Sequence, residues 1–352
     1  MALQSINIGS AANDGTGSTL RAAFDICNDN FSELYGGTTS ALGFKSEGTN
    51  FTGSLIVGHS TTGTISSATY NTAFGIGAMD ALTSGDYNTV IGYNAGTSIN
   101  SGQYNILLGA NAGDALTSGT RNVAVGHNAL STEDGHGRNV AVGHNALFTL
   151  DAGADAYNVA IGYDAGTLIT TGSRNTLIGS LTGDALTTGY YNTALGYQAL
   201  SSSQTGRNAV AIGYQALMTE ASTNLETYNV AVGYRAGYQV STGTQNTLIG
   251  GQAGDALTTG SSNVAIGMDA LDAEDTGSRN IAIGHNALKA LNYDGYGYNI
   301  AVGYSAGKAV STGVNNTLIG SLAGDALTTG TNNVAMGYGA LGSEDTGGQN
   351  VA

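Results

Sequence analysis

The sequence predicts an all-β fold: a repetitive parallel β-roll or solenoid with coils of about seventeen residues, trimeric, preceded by a short amino-terminal helix. Three observations predict it. A glycine closes a short apolar run at Gly58, Gly75, Gly92, Gly109, Gly126, Gly143, Gly162, Gly179, Gly196, Gly213, Gly233, Gly250, Gly267, Gly284, Gly303, Gly320 and Gly337; the numbering rises by seventeen at thirteen of the sixteen steps, and by nineteen, twenty and nineteen at the others. An asparagine stands four residues before that glycine in fifteen of the sixteen coils from Gly75 onward. The composition, with 56 glycines, no proline, no tryptophan and 10% charged residues, suits thin close-packed layers better than the separate thick cores that 352 residues would otherwise form. A fixed period of this length marks a stack of like units.

Each unit reads as Asn, three apolar or small residues, Gly, two variable positions and Ala followed by Gly or Leu, as in Asn122-Val123-Ala124-Val125-Gly126-His127-Asn128-Ala129-Leu130. The two-residue alternation of a strand puts Val264 and Ile266 on one side and Ala265 on the other. A second extended piece, such as Ala256 to Gly260, follows in many units, so each coil is expected to hold two short strands and two turns. A coil this small has no strand partner of its own, and its backbone must bond to the coils before and after it. Stacked at about 4.8 Å per coil, the seventeen coils would make a rod roughly 80 Å long.

The asparagine column, represented by Asn122, Asn139, Asn158 and Asn175, allows two structural readings: a stacked amide ladder, or a residue that tolerates a left-handed turn. Ala209 interrupts it, with Asn208 displaced by one. Gly126, Gly143, Gly162 and Gly179 are the matching structural glycines. A slower rhythm lies above the first. The longer loops after Leu147, Leu217 and Leu288 recur every four coils, and a Gly-Asp-Ala-Leu-Thr segment places Asp114, Asp184, Asp255 and Asp325 once in each four-coil block.

The chain divides into residues 1–37, a connector at 38–53, and a shaft at 54–352 that opens on the degenerate coil Ser54 to Gly58. In the first part Leu20, Phe24, Cys27, Phe31 and Leu34 are spaced 4, 3, 4 and 3, the seam of a short coiled coil that Gly36-Gly37 would stop. Two heptads are marginal alone, so the seam is expected to meet its copies or another protein. At the other end the next glycine is due at position 354, which leaves a coil open and an expectation that the rod continues.

A formal charge of −15 argues against a nucleic-acid partner. Met1 to Ile8 lacks the basic and apolar runs of a signal peptide, and no window approaches a membrane span, so synthesis in a cytoplasm without membrane insertion is expected. Cys27 has no partner for a disulfide or a metal. His127, His144 and His285 follow the coil glycine and could form a metal set, but tyrosine fills that place in seven other coils, which favours a packing column. Tyr70, Tyr87, Tyr104, Tyr157, Tyr228 and Tyr298 precede the asparagine and suit stacking between coils, with sugar binding as the alternative. The four block aspartates read as turn caps or, less simply, calcium ligands, and Glu133-Asp134, Glu274-Asp275 and Glu344-Asp345 read as solvated acidic loops. No catalytic constellation emerges, so neither an enzyme nor a cofactor is expected.

Units such as Asn158-Val159-Ala160-Ile161-Gly162-Tyr163-Asp164-Ala165 resemble the head repeats of trimeric autotransporter adhesins over about residues 54 to 352. That resemblance implies a left-handed parallel β-roll and a homotrimer. Ile6-Asn7-Ile8-Gly9, Ala12 to Gly17, Leu20 to Phe24 and Asn30 to Tyr35 resemble the amino termini of tail-fibre and other virion structural proteins of tailed bacteriophages. This second resemblance implies a virion fibre, assembled in the host cytoplasm, attached to other virion proteins through residues 1–37 and supporting adhesion to a host glycan or receptor. The competing functions are a bacterial cell-surface adhesin or filament subunit and, third, a polysaccharide depolymerase.

Overall fold

A computed structural model describes residues 44–46, 53–58, 66–221 and 226–352. The expected amino-terminal helix with Leu20, Phe24, Cys27, Phe31 and Leu34 lies outside the described residues. Strand β1 (Phe44–Ser46) is followed by seventeen three-residue strands, one per coil, from β2 (Leu55–Val57) through β8 (Val159–Ile161) and β9 (Thr176–Ile178) to β18 (Val334–Met336). The coil strands pair in parallel with residue-for-residue register: β8 meets β9 as Val159 with Thr176, Ala160 with Leu177 and Ile161 with Ile178. β1 runs antiparallel to β2, pairing Phe44 with Val57, so the connector contributes a strand along the first coil. The architecture is the predicted β-solenoid.

One expectation is corrected. The piece from Ala256 to Gly260 is not a second strand; Leu257 N–H turns back to Gly254 O at 3.1 Å, while Thr258 N–H reaches Asp275 O of the next coil at 2.6 Å. Three left-handed positions per coil bend the remaining backbone this tightly. They fall just before the asparagine, two residues after the glycine and four residues after it, as at Tyr157, Asp164 and Gly166. Among the described residues no non-glycine residue with positive φ is β-branched, because a second group on Cβ would clash with its own carbonyl there.

The core explains the four-coil block. Where the central strand residue is Leu, as at Leu107, Leu177, Leu248 and Leu318, the residue four after the coil glycine is Gly113, Gly183, Gly254 or Gly324. In the next two coils the centre is Ala and that place holds Leu, as with Ala194 and Leu200, then Ala211 and Leu217. The fourth coil has both small, as with Ala160 and Gly166, and a Cβ on Gly166 would lie 2.9 Å from Leu177 of the following coil. The bulky side chain therefore crosses from one wall to the other and back once per block, and the glycines make room for it.

The asparagines form a buried ladder. Asn175 donates its backbone N–H to Asn158 Oδ1 at 3.0 Å, and its Nδ2 donates to the same oxygen at 3.2 Å and to Gly189 O at 2.9 Å. Its own Oδ1 accepts from Asn192 N and Nδ2 at 3.1 and 3.2 Å. Every donor and acceptor of the amide is used, and the side chain is fully buried. The left-handed residue is the one before it, Arg174 at φ 56°, so the structure separates the two readings in favour of the ladder. At Ala209 the backbone N–H still donates to Asn192 Oδ1 at 3.0 Å, but alanine has no side-chain oxygen to accept from the next coil. The ladder thus runs in two segments.

The coil glycines are set by contact as well as by φ. A Cβ on Gly126, Gly143, Gly162 or Gly179 would sit 2.1–2.6 Å from the carbonyl oxygen of the next coil's glycine. Asn175→Ala should destabilise the shaft by about 3 kcal/mol, because it leaves the Asn192 N–H and the Gly189 carbonyl without buried partners. Urea denaturation followed by circular dichroism checks this; an unmoved midpoint contradicts the ladder's role.

Candidate functional surface

The strand alternation turns the small residue inward and the branched residues outward. In β8, Ala160 is buried while Val159 and Ile161 face out, and the same pattern repeats along the sheet. The inward strand residue is Ala or Leu in all coils but two, where Ile56 and Val90 take the place, and the outer face carries two parallel columns, mostly of Val, Ile, Leu and Thr, over seventeen rungs. Phe74 is 60% exposed, Ile106 44%, Leu195 43% and Met336 65%, an apolar face far larger than a solitary surface side chain.

An aromatic column flanks this face at the position after the coil glycine. His127 stacks on His144 with ring centroids 5.2 Å apart, and His144 on Tyr163 at 5.3 Å. His285 stacks on Tyr304 at 5.5 Å, and Tyr197, Tyr214 and Tyr234 continue the pattern at 5.6 and 5.4 Å. The histidines thus join the packing column. Beside them runs a second amide ladder missed in the sequence: Asn111 Nδ2 donates to Asn128 Oδ1 at 3.2 Å, Asn128 to Asn145 at 3.3 Å, and Asn145 to Asp164 at 3.0 Å.

Three of the block aspartates act between coils. Asp114 and Asp184 accept from Ser131 and Ser201 of the next coil at 2.5 and 2.6 Å, and Asp255 pairs with Arg235 at 3.2 Å. Burial pushes the carboxyls of Asp184 and Asp255 up, against the opposing pull of the Ser201 hydroxyl and the Arg235 guanidinium.

The acidic loops correct the sequence reading in part: Asp134 and Asp345 are exposed as expected, and Asp275 and Glu344 are half-buried. Glu133 and Glu274 are buried, not solvated, and occupy the inward position that Leu116, Leu186 and Leu257 take in other coils. Glu274 Oε1 accepts from Gly277 N at 2.6 Å and Oε2 from Tyr293 N at 3.3 Å; Glu133 does the same for His136 and Ala152 at 3.0 and 3.4 Å. Ala152 and Tyr293 belong to the lengthened loops, whose extra residues interrupt the regular coil-to-coil exchange of backbone bonds. A carboxylate in the core supplies the acceptor that the loop lacks. Glu133, Asp134 and His136 form a group of three potential metal-ligating side chains, and both carboxylate oxygens of Glu133 are committed to these amides.

No family model, curated protein or solved structure matches this chain.

Burial raises the Glu133 carboxyl and pushes Glu274 up to about 6, above the ordinary 4.5. A folded-state value above the unfolded one makes protonation favour the fold. The stabilisation is full below pH 4.5 and is lost as pH rises through about 6. Between pH 4.5 and 7 this contribution from Glu274 should change by about 1–2 kcal/mol. Comparing urea midpoints at pH 5 and 7.5 in the native chain and in Glu274→Gln checks it: the substitution should reduce the difference, and an identical pH response contradicts the assignment.

Proposed function

We propose that this chain is the shaft of a structural virion fibre, a tail or side fibre of a bacteriophage, in which parallel copies stand in register with their strand faces against one another. The outward apolar face carries the reading. Any partner covering that face along its length must repeat with the same rise per rung, and a second copy of the chain meets this condition automatically. The count of three follows from the resemblance to adhesin head repeats. Attachment through residues 1–37 to other virion proteins, and the outward direction of the rod, follow from the resemblance of those residues to phage fibre termini. The role is structural, at the outer surface of the particle, and holds the host-contacting parts away from it.

The full chain should have a solution mass three times 35.2 kDa by light scattering. Placing lysines in the face, Ile161→Lys with Ile249→Lys, should release monomers, since charges buried between apolar sheets lack partners. A native chain that is a stable, cooperatively unfolding monomer would sink the proposal. A chain beginning at residue 38 should still form β-structure yet fail to attach to the particle; loss of the β-signal would contradict that division of roles.

A further inference from the structure

Eight successive coils carry only Tyr or Arg just before the ladder asparagine: Tyr70, Tyr87, Tyr104, Arg121, Arg138, Tyr157, Arg174 and Tyr191. All are exposed and all are left-handed, with φ between 54° and 63°. The chain holds ten Lys and Arg in all. Arg121, Arg138, Arg174 and Arg279 stand in this column and Arg207 directly beside it, so half of the positive charge of an acidic protein lies on one edge.

The ring and guanidinium planes stack on each other. Tyr70, Tyr87 and Tyr104 are spaced at 4.9 Å, Arg121 lies over Tyr104 at 5.5 Å, and Arg138 and Arg174 flank Tyr157 at 5.2 and 5.8 Å. Arg174 continues to Tyr191 at 5.4 Å, and Arg207 covers Tyr190 at 4.4 Å. The faces are thereby used within the ladder, and what remains for a ligand is the edge: guanidinium N–H groups and phenol hydroxyls. Arg138 also pairs through Nη1 with Asp155 and the Tyr157 hydroxyl.

We propose that this edge, from Tyr104 to Arg207, binds a linear acidic polysaccharide bearing carboxylates. Arg138, Arg174 and Arg207 recur every second coil, about 10 Å apart, a spacing comparable to a disaccharide repeat. Each guanidinium can hold a carboxylate through two parallel hydrogen bonds, and the intervening tyrosine hydroxyls can meet sugar hydroxyls. Single-stranded nucleic acid, by contrast, needs free aromatic faces for its bases, and here arginine or tyrosine occupies them. The inference extends the fibre reading, on which it rests only for delivery of this edge to a cell surface.

The test uses the full chain with hyaluronate and alginate as acidic probes, dextran as a neutral one and oligothymidylate as a nucleic acid, in biolayer interferometry. The variant R121Q/R138Q/R174Q is compatible with the backbone, since Gln245 and Gln349 already occupy this column at φ 60° and 63°. An acidic probe should bind, more weakly as salt rises, and the triple variant should lose at least tenfold in affinity with unchanged circular dichroism. Binding of dextran or oligothymidylate as tight as that of the acidic probes, unchanged affinity in the variant, or no binding of either acidic polymer would overturn the proposal. Light scattering on the same samples separates the two readings: an assembled shaft that binds no acidic polymer refutes only this site, and a monomer that binds one refutes only the fibre assembly.

Discussion

A coil with one three-residue strand cannot satisfy its own backbone, and its asparagine amide cannot be satisfied by its own coil either. Asn88 must reach Asn71 behind it and be reached by Asn105 ahead, with bonds of 2.9–3.0 Å to the backbone N–H groups. Polar atoms in the centre of the core thus require a neighbour at fixed rise and fixed register. A slip of one residue would present the wrong face of each strand and also strand a column of amides. This requirement orders the other features of the shaft. The coil glycines approach the next coil's carbonyl because the ladder holds the coils close, and in two of the lengthened loops a buried carboxylate, Glu133 or Glu274, meets a loop amide.

The thinness of the coil also decides which surface faces out. With asparagine, alanine and leucine filling the centre, there is no room inside for both branched residues of a strand, and they lie on the outer face. A single chain therefore carries apolar material on both sides of its sheet. The Tyr and Arg column stands at the left-handed positions just before the asparagine, where Arg138 is held by Asp155. One short repeat can in this way hold a core, an assembly face and a charged edge, each drawn from different positions of the same coil.

Much of this was legible in the sequence. The glycine and asparagine columns fix the coil length, and the strands fall where the Asn-x-x-x-Gly pattern places them, with β8 between Asn158 and Gly162. Alternation alone is silent about which side is interior, since Val-Ala-Ile reads equally well inside out; the contacts of neighbouring coils decide it. The expected second strand fails because Ala-Leu-Thr-Thr looks extended, whereas its leucine turns inward at a bend. Glu133 and Glu274 look like loop charges because glutamate is rarely buried. Their place seven positions after the coil glycine, where other coils put Leu, Ile or Val, was the available signal. The exclusion of β-branched residues from the left-handed positions was a second one. The helical seam from Leu20 to Leu34 lies outside the described residues and stands on its sequence pattern alone.

Deletion within the shaft tests the stacked-coil account most directly. Removing residues 158–228 joins Tyr157 directly to Asn229, so that a left-handed residue at φ 54° again precedes the ladder asparagine, as Tyr228 does at φ 47° in the native chain, and it gives the Asn229 N–H the acceptor that Asn139 gave to Asn158. Electron microscopy and thermal unfolding should find a rod shorter by about 19 Å, with little change in stability per coil. Removing only residues 158–165 sets turns against strands, breaks the ladder within a block and should cause aggregation. A four-coil deletion that aggregates beside a half-coil deletion that folds normally would contradict the account.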